Sequence, residues 1–232
     1  MRANRSLPIL PALAALAASI LLWNMPGAQL LLWPCKLLVT FLHEGAHAVA
    51  ALATGGQVAS IAINPNTSGV TYTLGGWGLL TSTAGYLGTA LLGALLLRLG
   101  ALGGWARPVL LGLAVALGAG TLVWVRNPFG FLVGLLFAAA LVWISRKASA
   151  GVQEFVFLLL SLQIASNALL DSFNLVSMSS TPVFSDALNM QQMTGIPAIV
   201  WAALWSVLAV IAVAWGLAPW ITREKSVSTT RG

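Results

Sequence analysis

Long apolar segments dominate this chain and restrict it to folds that can be built in a lipid bilayer. Only 7% of the 232 residues are charged and 59% are hydrophobic, whereas a soluble domain is typically about 25% charged. Apolar stretches of about 18 residues or more recur along the chain, and each is long enough to cross the hydrocarbon core as a helix. We therefore expect an all-α polytopic membrane protein.

Seven spans are expected, at residues 7–23, 30–53, 79–99, 109–125, 129–144, 155–173 and 196–220. The first is expected to be an extra span within residues 1–28, because its apolar run is longer than the core of a signal peptide. Residues 29–222 would form one core domain and residues 223–232 a polar tail. The basic residues stand singly or in pairs at the ends of apolar runs, which is typical of membrane loops and does not indicate nucleic-acid binding.

The connection between the second and third spans predicts a β-hairpin. It carries no charged residue from Gln57 to Gly76, and two β-prone runs flank a turn cluster rich in Asn, Ser and Gly. Such a pattern is a hairpin signal. The absence of charge indicates that the hairpin, from Val58 to Leu74, is associated with the membrane. The hairpin is also the suspected substrate-binding element, since an unwound substrate could add to its edge strand.

The second span contains His43-Glu44-Gly45-Ala46-His47, which holds both histidines of the chain. On a helix, the two histidines of an H-E-x-x-H pattern lie at i and i+4 on one face. Both imidazoles can then bind one Zn²⁺ while Glu44 reaches a water on the same metal. The single cysteine, Cys35, excludes a cysteine-based zinc cluster within the chain.

A catalytic zinc of this kind needs a third protein ligand, and the remaining acidic residues are few enough to consider one by one. Glu154 opens a span beside a basic pair, and Glu224 lies in the charged tail. Asp171 lies near the end of an apolar span, where an acid is costly unless it is paired or metal-bound, and Asn167 is one turn earlier. Asp171 is therefore the first choice. Asp186 is the second, since it also fits the start of a short capped helix.

The helix of the motif carries one polar stripe, formed by Lys36, Thr40, His43, His47 and Thr54. Polar groups inside a membrane usually face a bundle interior or a water-filled cavity. The stripe is therefore either a route for water or a set of contacts with neighbouring elements.

Four sequence features resemble the site-2 protease family, and more narrowly its compact bacterial and plant members, the M-fifty-B-like peptidases. They are H-E-G-A-H at 43–47, T-G-G at 54–56 before the hairpin, A-G-Y-L-G at 84–88 and N-A-L-L-D at 167–171. The resemblance covers residues 40–205. It implies a multi-pass zinc metalloendopeptidase of the bacterial inner membrane that cleaves membrane-embedded protein substrates.

By this resemblance His43 and His47 are zinc ligands, Glu44 is the catalytic base, and an aspartate on a later helix completes the site. The better-known members carry that aspartate in Leu-Asp-Gly, whereas this chain has Leu170-Asp171-Ser172.

Two other classes of function compete with the protease. A membrane scaffold or binding protein could keep the fold with a decayed site, but the intact H-E-x-x-H argues against decay. A small-solute transporter predicts charged groups on several spans and an internal repeat, and neither is visible in the sequence.

Overall fold

A computed structural model describes residues 27–178 and 185–229, together with residues 17, 18, 21, 22 and 25. The predicted first span, residues 7–23, thus lies mostly outside the described residues. The described chain forms six long helices, one short helix and a two-stranded sheet. In chain order these are α1 (Ala28–Ala53), β1 (Gln57–Ile63), β2 (Gly69–Leu74), α2 (Gly78–Leu102), α3 (Ala106–Trp124), α4 (Pro128–Lys147), α5 (Ala150–Met178), α6 (Asp186–Thr194) and α7 (Ala198–Thr229).

Five of the helices are long and apolar enough to cross a membrane: α2, α3, α4, α5 and α7. Five of the seven expected spans are thus supported among the described residues. Helix α1, with 26 residues, is long enough but is not among the five. It carries Lys36, Glu44 and both histidines.

The α1 helix ends where the sequence predicts. Gly55 has φ +79°, a conformation that glycine adopts without a steric penalty. The N–H of Gly56 then bonds back to the carbonyl of Ala51 at 2.8 Å, which satisfies one of the last carbonyls of the helix. The helix thus ends at Ala53, and the chain enters β1 at Gln57.

The predicted hairpin is confirmed. β1 and β2 pair antiparallel, with Ile61 opposite Thr71 and Ile63 opposite Gly69. Local side-chain bonds close the turn: the Asn64 amide donates to Ser68 Oγ at 3.1 Å, and Asn66 Oδ1 accepts from the Ser68 N–H at 3.1 Å. Turn formation is thus encoded by residues within five positions of one another.

The hairpin lies along α1 and is anchored in the bundle. Ile61 and Ile63 are buried among apolar side chains of α1, α3 and α4. At the turn, Thr40 Oγ1 donates to the carbonyl of Thr67 at 2.8 Å, and the Trp33 indole donates to the carbonyl of Pro65 at 2.8 Å. These contacts fix the hairpin relative to the motif helix.

Helix α2 packs against α1, α5 and α7 and places its first half beside the motif. Close helix approach depends on glycine, as expected for helices packed in a membrane. A Cβ on Gly93 would lie 2.9 Å from Ala165 Cα, and a Cβ on Gly216 would lie 2.8 Å from Ala94 Cα. The backbones of α5 and α7 are therefore held tightly against α2.

Candidate metal centre

Both histidines of the motif project from one face of α1 toward the same carboxylate. Their ring centroids are 4.8 Å apart. Nε2 of His43 lies 3.3 Å from Oδ2 of Asp186, and Nε2 of His47 lies 3.2 Å from the same oxygen. Among the described residues, these three side chains form a group whose ligand atoms all lie within 4.8 Å of one another.

Asp186 reaches the histidines from the first residue of the short helix α6. Ser185, not Asp186, is the N-cap, since its hydroxyl accepts from the Leu188 N–H at 3.3 Å. The Asp186 carboxylate is therefore free to face the motif. Burial alone would raise the pKa of Asp186, but hydrogen bonds with His43 and His47 outweigh it and hold that pKa below its usual range.

Two of the three separations between ligand atoms match those around a zinc ion, and the third, between the two imidazole nitrogens, is at most 4.8 Å. Two ligands each about 2.0–2.1 Å from a tetrahedral zinc lie about 3.3 Å apart, close to the 3.3 and 3.2 Å separations from Asp186. Two imidazoles and one carboxylate are also a donor set found in catalytic zinc sites, with the fourth position left for water or substrate.

Gly85 on α2 leaves room for this arrangement. A Cβ at this position would collide with Nε2 of both His43 and His47. The absence of a side chain here therefore allows α2 to approach the histidines without displacing their ligand atoms.

A backbone carbonyl fixes the tautomer of His47. Its Nδ1 lies 2.6 Å from the carbonyl oxygen of Thr81, so Nδ1–H donates and Nε2 is the ring nitrogen that faces Asp186. Metal-binding histidines usually have such a partner, which orients the ring and raises its basicity.

Aromatic rings hold His43 in place. The ring of Tyr86 meets His43 edge to face, with centroids 4.9 Å apart, and stacks on Trp205 at 5.4 Å. Trp205 is buried on α7. The orientation of His43 is thus set by packing that extends across two helices.

Glu44 is buried beside the hairpin, with 5% of its surface exposed. Thr71 Oγ1 on β2 lies 2.7 Å from Glu44 Oε2, to which it donates, and 3.0 Å from the Glu44 carbonyl. A carboxylate adjacent to two candidate metal ligands and oriented by a hydroxyl is suited to accept and return a proton.

Asp171, the first choice for the third ligand, lies in the same cleft but is not part of the three-ligand group. Its Oδ2 accepts a hydrogen bond of 2.9 Å from the amide of Asn167, one turn earlier on α5. The acid in the apolar span is therefore satisfied by a neighbour at i−4. The geometry favours Asp186, the second choice, because it approaches both histidines.

A cleft of about 560 Å³ joins these groups. One wall is the strand β2, of which five consecutive residues, 69–73, border the cavity. The remaining wall residues are mostly polar and come from α1, α2, α5 and α6: His43, Glu44, His47, Thr81, Ser82, Tyr86, Asp171, Asn174, Leu175, Ser185, Asp186 and Asn189. An extended polypeptide segment along β2 would pass beside Glu44.

The polar stripe of α1 makes contacts to neighbouring elements. Thr40 binds the hairpin turn, and Thr54 accepts from the Trp77 N–H at 2.9 Å at the start of α2. His43 and His47 face Asp186. Of the two alternatives, contact with neighbouring elements accounts for four of the five stripe residues.

The sequence placed Thr71 and Gly69 in the hairpin suspected of binding substrate, but it indicated neither their proximity to Glu44 nor the contact of Thr81 with His47. Thr71 and Gly69 belong to β2, and which β2 residues face α1 depends on how the hairpin packs on that helix. Thr81 contributes its backbone carbonyl, a group that every residue type has, so its identity gives no sequence signal. Gly85 belongs to the A-G-Y-L-G pattern, and the structure places it directly against the two histidines.

Comparison with known proteins identifies the family. A family model described as Peptidase M50B-like matches residues 12–216, which is most of the chain. Searches of the curated proteins and of the solved structures returned no match. The H-E-x-x-H helix, the aspartate opposite it and the membrane-spanning helices agree with that family, and the chain belongs to the Peptidase M50B-like family of the site-2 protease group.

Proposed function

We propose that this protein is an intramembrane zinc-dependent endopeptidase, which hydrolyses peptide bonds of membrane-embedded protein substrates, in the bacterial inner membrane. The observation that carries the proposal is the convergence of His43, His47 and Asp186 beside Glu44 in one cleft. Family membership supports the same class of activity.

In this proposal His43, His47 and Asp186 hold the zinc. When bound there, zinc would polarise the scissile carbonyl and lower the pKa of a water molecule toward about 7. Glu44 accepts the proton of the attacking water and returns it to the leaving amine. Thr81 and Tyr86 keep the two imidazoles in position through the contacts described above.

The substrate is proposed to bind as an added strand on β2. The outer edge of β1 is already covered: Ile61 bridges Val125, and the Asn127 amide both donates to and accepts from the Ile63 backbone. Among the described residues no strand pairs with the outer edge of β2, and that strand borders the cleft. An unwound segment can add there by backbone hydrogen bonding.

Glu44→Gln tests the proposed reaction. In proteoliposomes with a membrane-embedded substrate, we expect cleavage to fall by about 10²–10⁴-fold, since that is the usual contribution of a general acid–base group. Zinc content should be retained, because Glu44 is not a ligand. Glu154→Gln, at the far end of α5, is the matched control and should cleave like the wild type. Full activity of Glu44→Gln would contradict the proposal and favour a binding or scaffold function.

Adjacent proline substitutions test strand addition. Successive N–H groups of a strand point to opposite edges, so Tyr72→Pro and Thr73→Pro remove one donor toward β1 and one toward the cleft. One variant should loosen the hairpin, while the other should keep its thermal stability and zinc but lose cleavage. If the variant that keeps its thermal stability cleaves normally, the substrate does not bind at this edge.

A further inference from the structure

One strand of the hairpin lies directly on the carboxylate of Glu44. Thr71 Oγ1 is 2.7 Å from Glu44 Oε2, a short hydrogen bond to a charged group. Gly69, two residues earlier on the same face of β2, lies against the other side of that carboxylate. A Cβ on Gly69 would be 2.6 Å from Glu44 Oε1 and 2.7 Å from Glu44 Cγ. β2 therefore binds one carboxylate oxygen through Thr71 and leaves space for the other at Gly69.

The same strand has a second edge, which borders the cleft. Thr71 is opposite Ile61 in the sheet, and Ile61 turns its carbonyl away from β2 to the Arg126 N–H. Both members of such a non-hydrogen-bonded pair turn their N–H and C=O outward, so the Thr71 backbone points away from β1. A substrate strand added to β2 would thus be held by the backbone of the residues whose side chains position Glu44. Any shift of β2 on substrate binding moves the scissile bond and the carboxylate together.

We propose that Thr71 is a positioning residue, which couples substrate docking on β2 to the placement of the Glu44 carboxylate. This inference rests on the proposed peptidase function. It goes beyond that function by assigning to the hairpin a role in arranging the proton-transfer group as well as in binding the substrate. Thr71 acts through Glu44 and touches neither the metal ligands nor the reacting atoms.

The Thr71→Val and Thr71→Ser pair tests the proposal. Valine has the shape of threonine and favours strands, so it removes the hydroxyl and keeps the hairpin. We expect kcat to fall by about ten- to a hundredfold, the range of one hydrogen bond to a charged group, with KM and zinc content unchanged. Serine keeps the hydroxyl and should restore kcat to within about threefold of wild type.

Thr40→Val is the matched control. It removes another hydroxyl bond between α1 and the same hairpin, the 2.8 Å bond to the Thr67 carbonyl, without touching Glu44. If Thr40→Val lowers kcat as much as Thr71→Val does, the hydroxyls merely attach the hairpin, and the positioning role is overturned.

A readout without catalysis separates this inference from the proposed function. In a double-mutant cycle of Thr71→Val with Glu44→Ala, the Thr71 effect on the unfolding temperature should shrink once Glu44 is absent. Additive effects would overturn the inference. Loss of cleavage in Glu44→Gln with normal kcat in Thr71→Val would overturn the inference alone. Full cleavage by Glu44→Gln would overturn both.

Discussion

The two aspartates of the cleft differ in what stabilises them. Asp171 is satisfied from within its own helix, by the amide of Asn167 four residues earlier at 2.9 Å. Asp186 comes from a separate short helix and approaches two histidines 143 and 139 positions away in the chain, at 3.3 and 3.2 Å. A buried acid with a local partner is already paired, whereas an acid with distant imidazole partners marks a site that the whole fold assembles.

Of the substitutions that test this difference between the two aspartates, Asp186→Asn should lower cleavage most. The amide keeps the size of the side chain but lacks the charge that makes carboxylate a zinc ligand. We expect cleavage to fall by more than about a hundredfold, because loss of even an outer partner of a metal ligand costs 10–100-fold. The measurement is cleavage rate in proteoliposomes with zinc supplied. Wild-type rates in this variant would exclude Asp186 as a ligand.

Gly85→Ala should disturb the histidine side of the cluster while leaving Asp171 and Asn167 in place. The added methyl group falls against Nε2 of His43 and His47. Zinc affinity should drop by about tenfold or more, as for other losses of ligand orientation, and a competition titration against a chelator measures it.

Gly112→Ala, on α3, is the matched control for Gly85→Ala. A Cβ there meets no atom within 4 Å, and alanine is the better helix former. Its zinc affinity should equal that of the wild type. Equal affinity in both variants would show that the histidines do not need the space left by Gly85.

Asp171→Asn should have the smallest effect. The substitution removes a charge from the cleft wall but no member of the three-ligand group. We expect zinc affinity within about threefold of wild type, a much smaller change than loss of a ligand orientation would cause. Isothermal titration with zinc is the measurement. A loss comparable with that of Asp186→Asn would return Asp171 to the ligand set.

The parts of the fold that sequence predicted are those with local causes. The pairing of His43 and His47 follows from helix periodicity, the hairpin from turn residues at Asn64, Asn66 and Ser68, and the start of α6 from the Ser185 cap. Each depends on residues within a few positions of one another.

The third ligand had no such local cause. An acid in an apolar span is a reasonable metal ligand, and this argument ranked Asp171 first. In the structure Asn167, one turn earlier, satisfies the acid without a metal, through a hydrogen bond of 2.9 Å. Nothing near Asp186 in sequence indicates that α6 packs where α1 presents its histidines, because that contact depends on how α2 and α7 hold α6.

Zinc content after a mild chelator wash tests the central claim, that His43, His47 and Asp186 hold the metal. The account predicts about one zinc per chain in the wild type and in Asp171→Asn, and less than about a tenth of that in Asp186→Asn. Retention of zinc by Asp186→Asn together with its loss from Asp171→Asn would contradict the account.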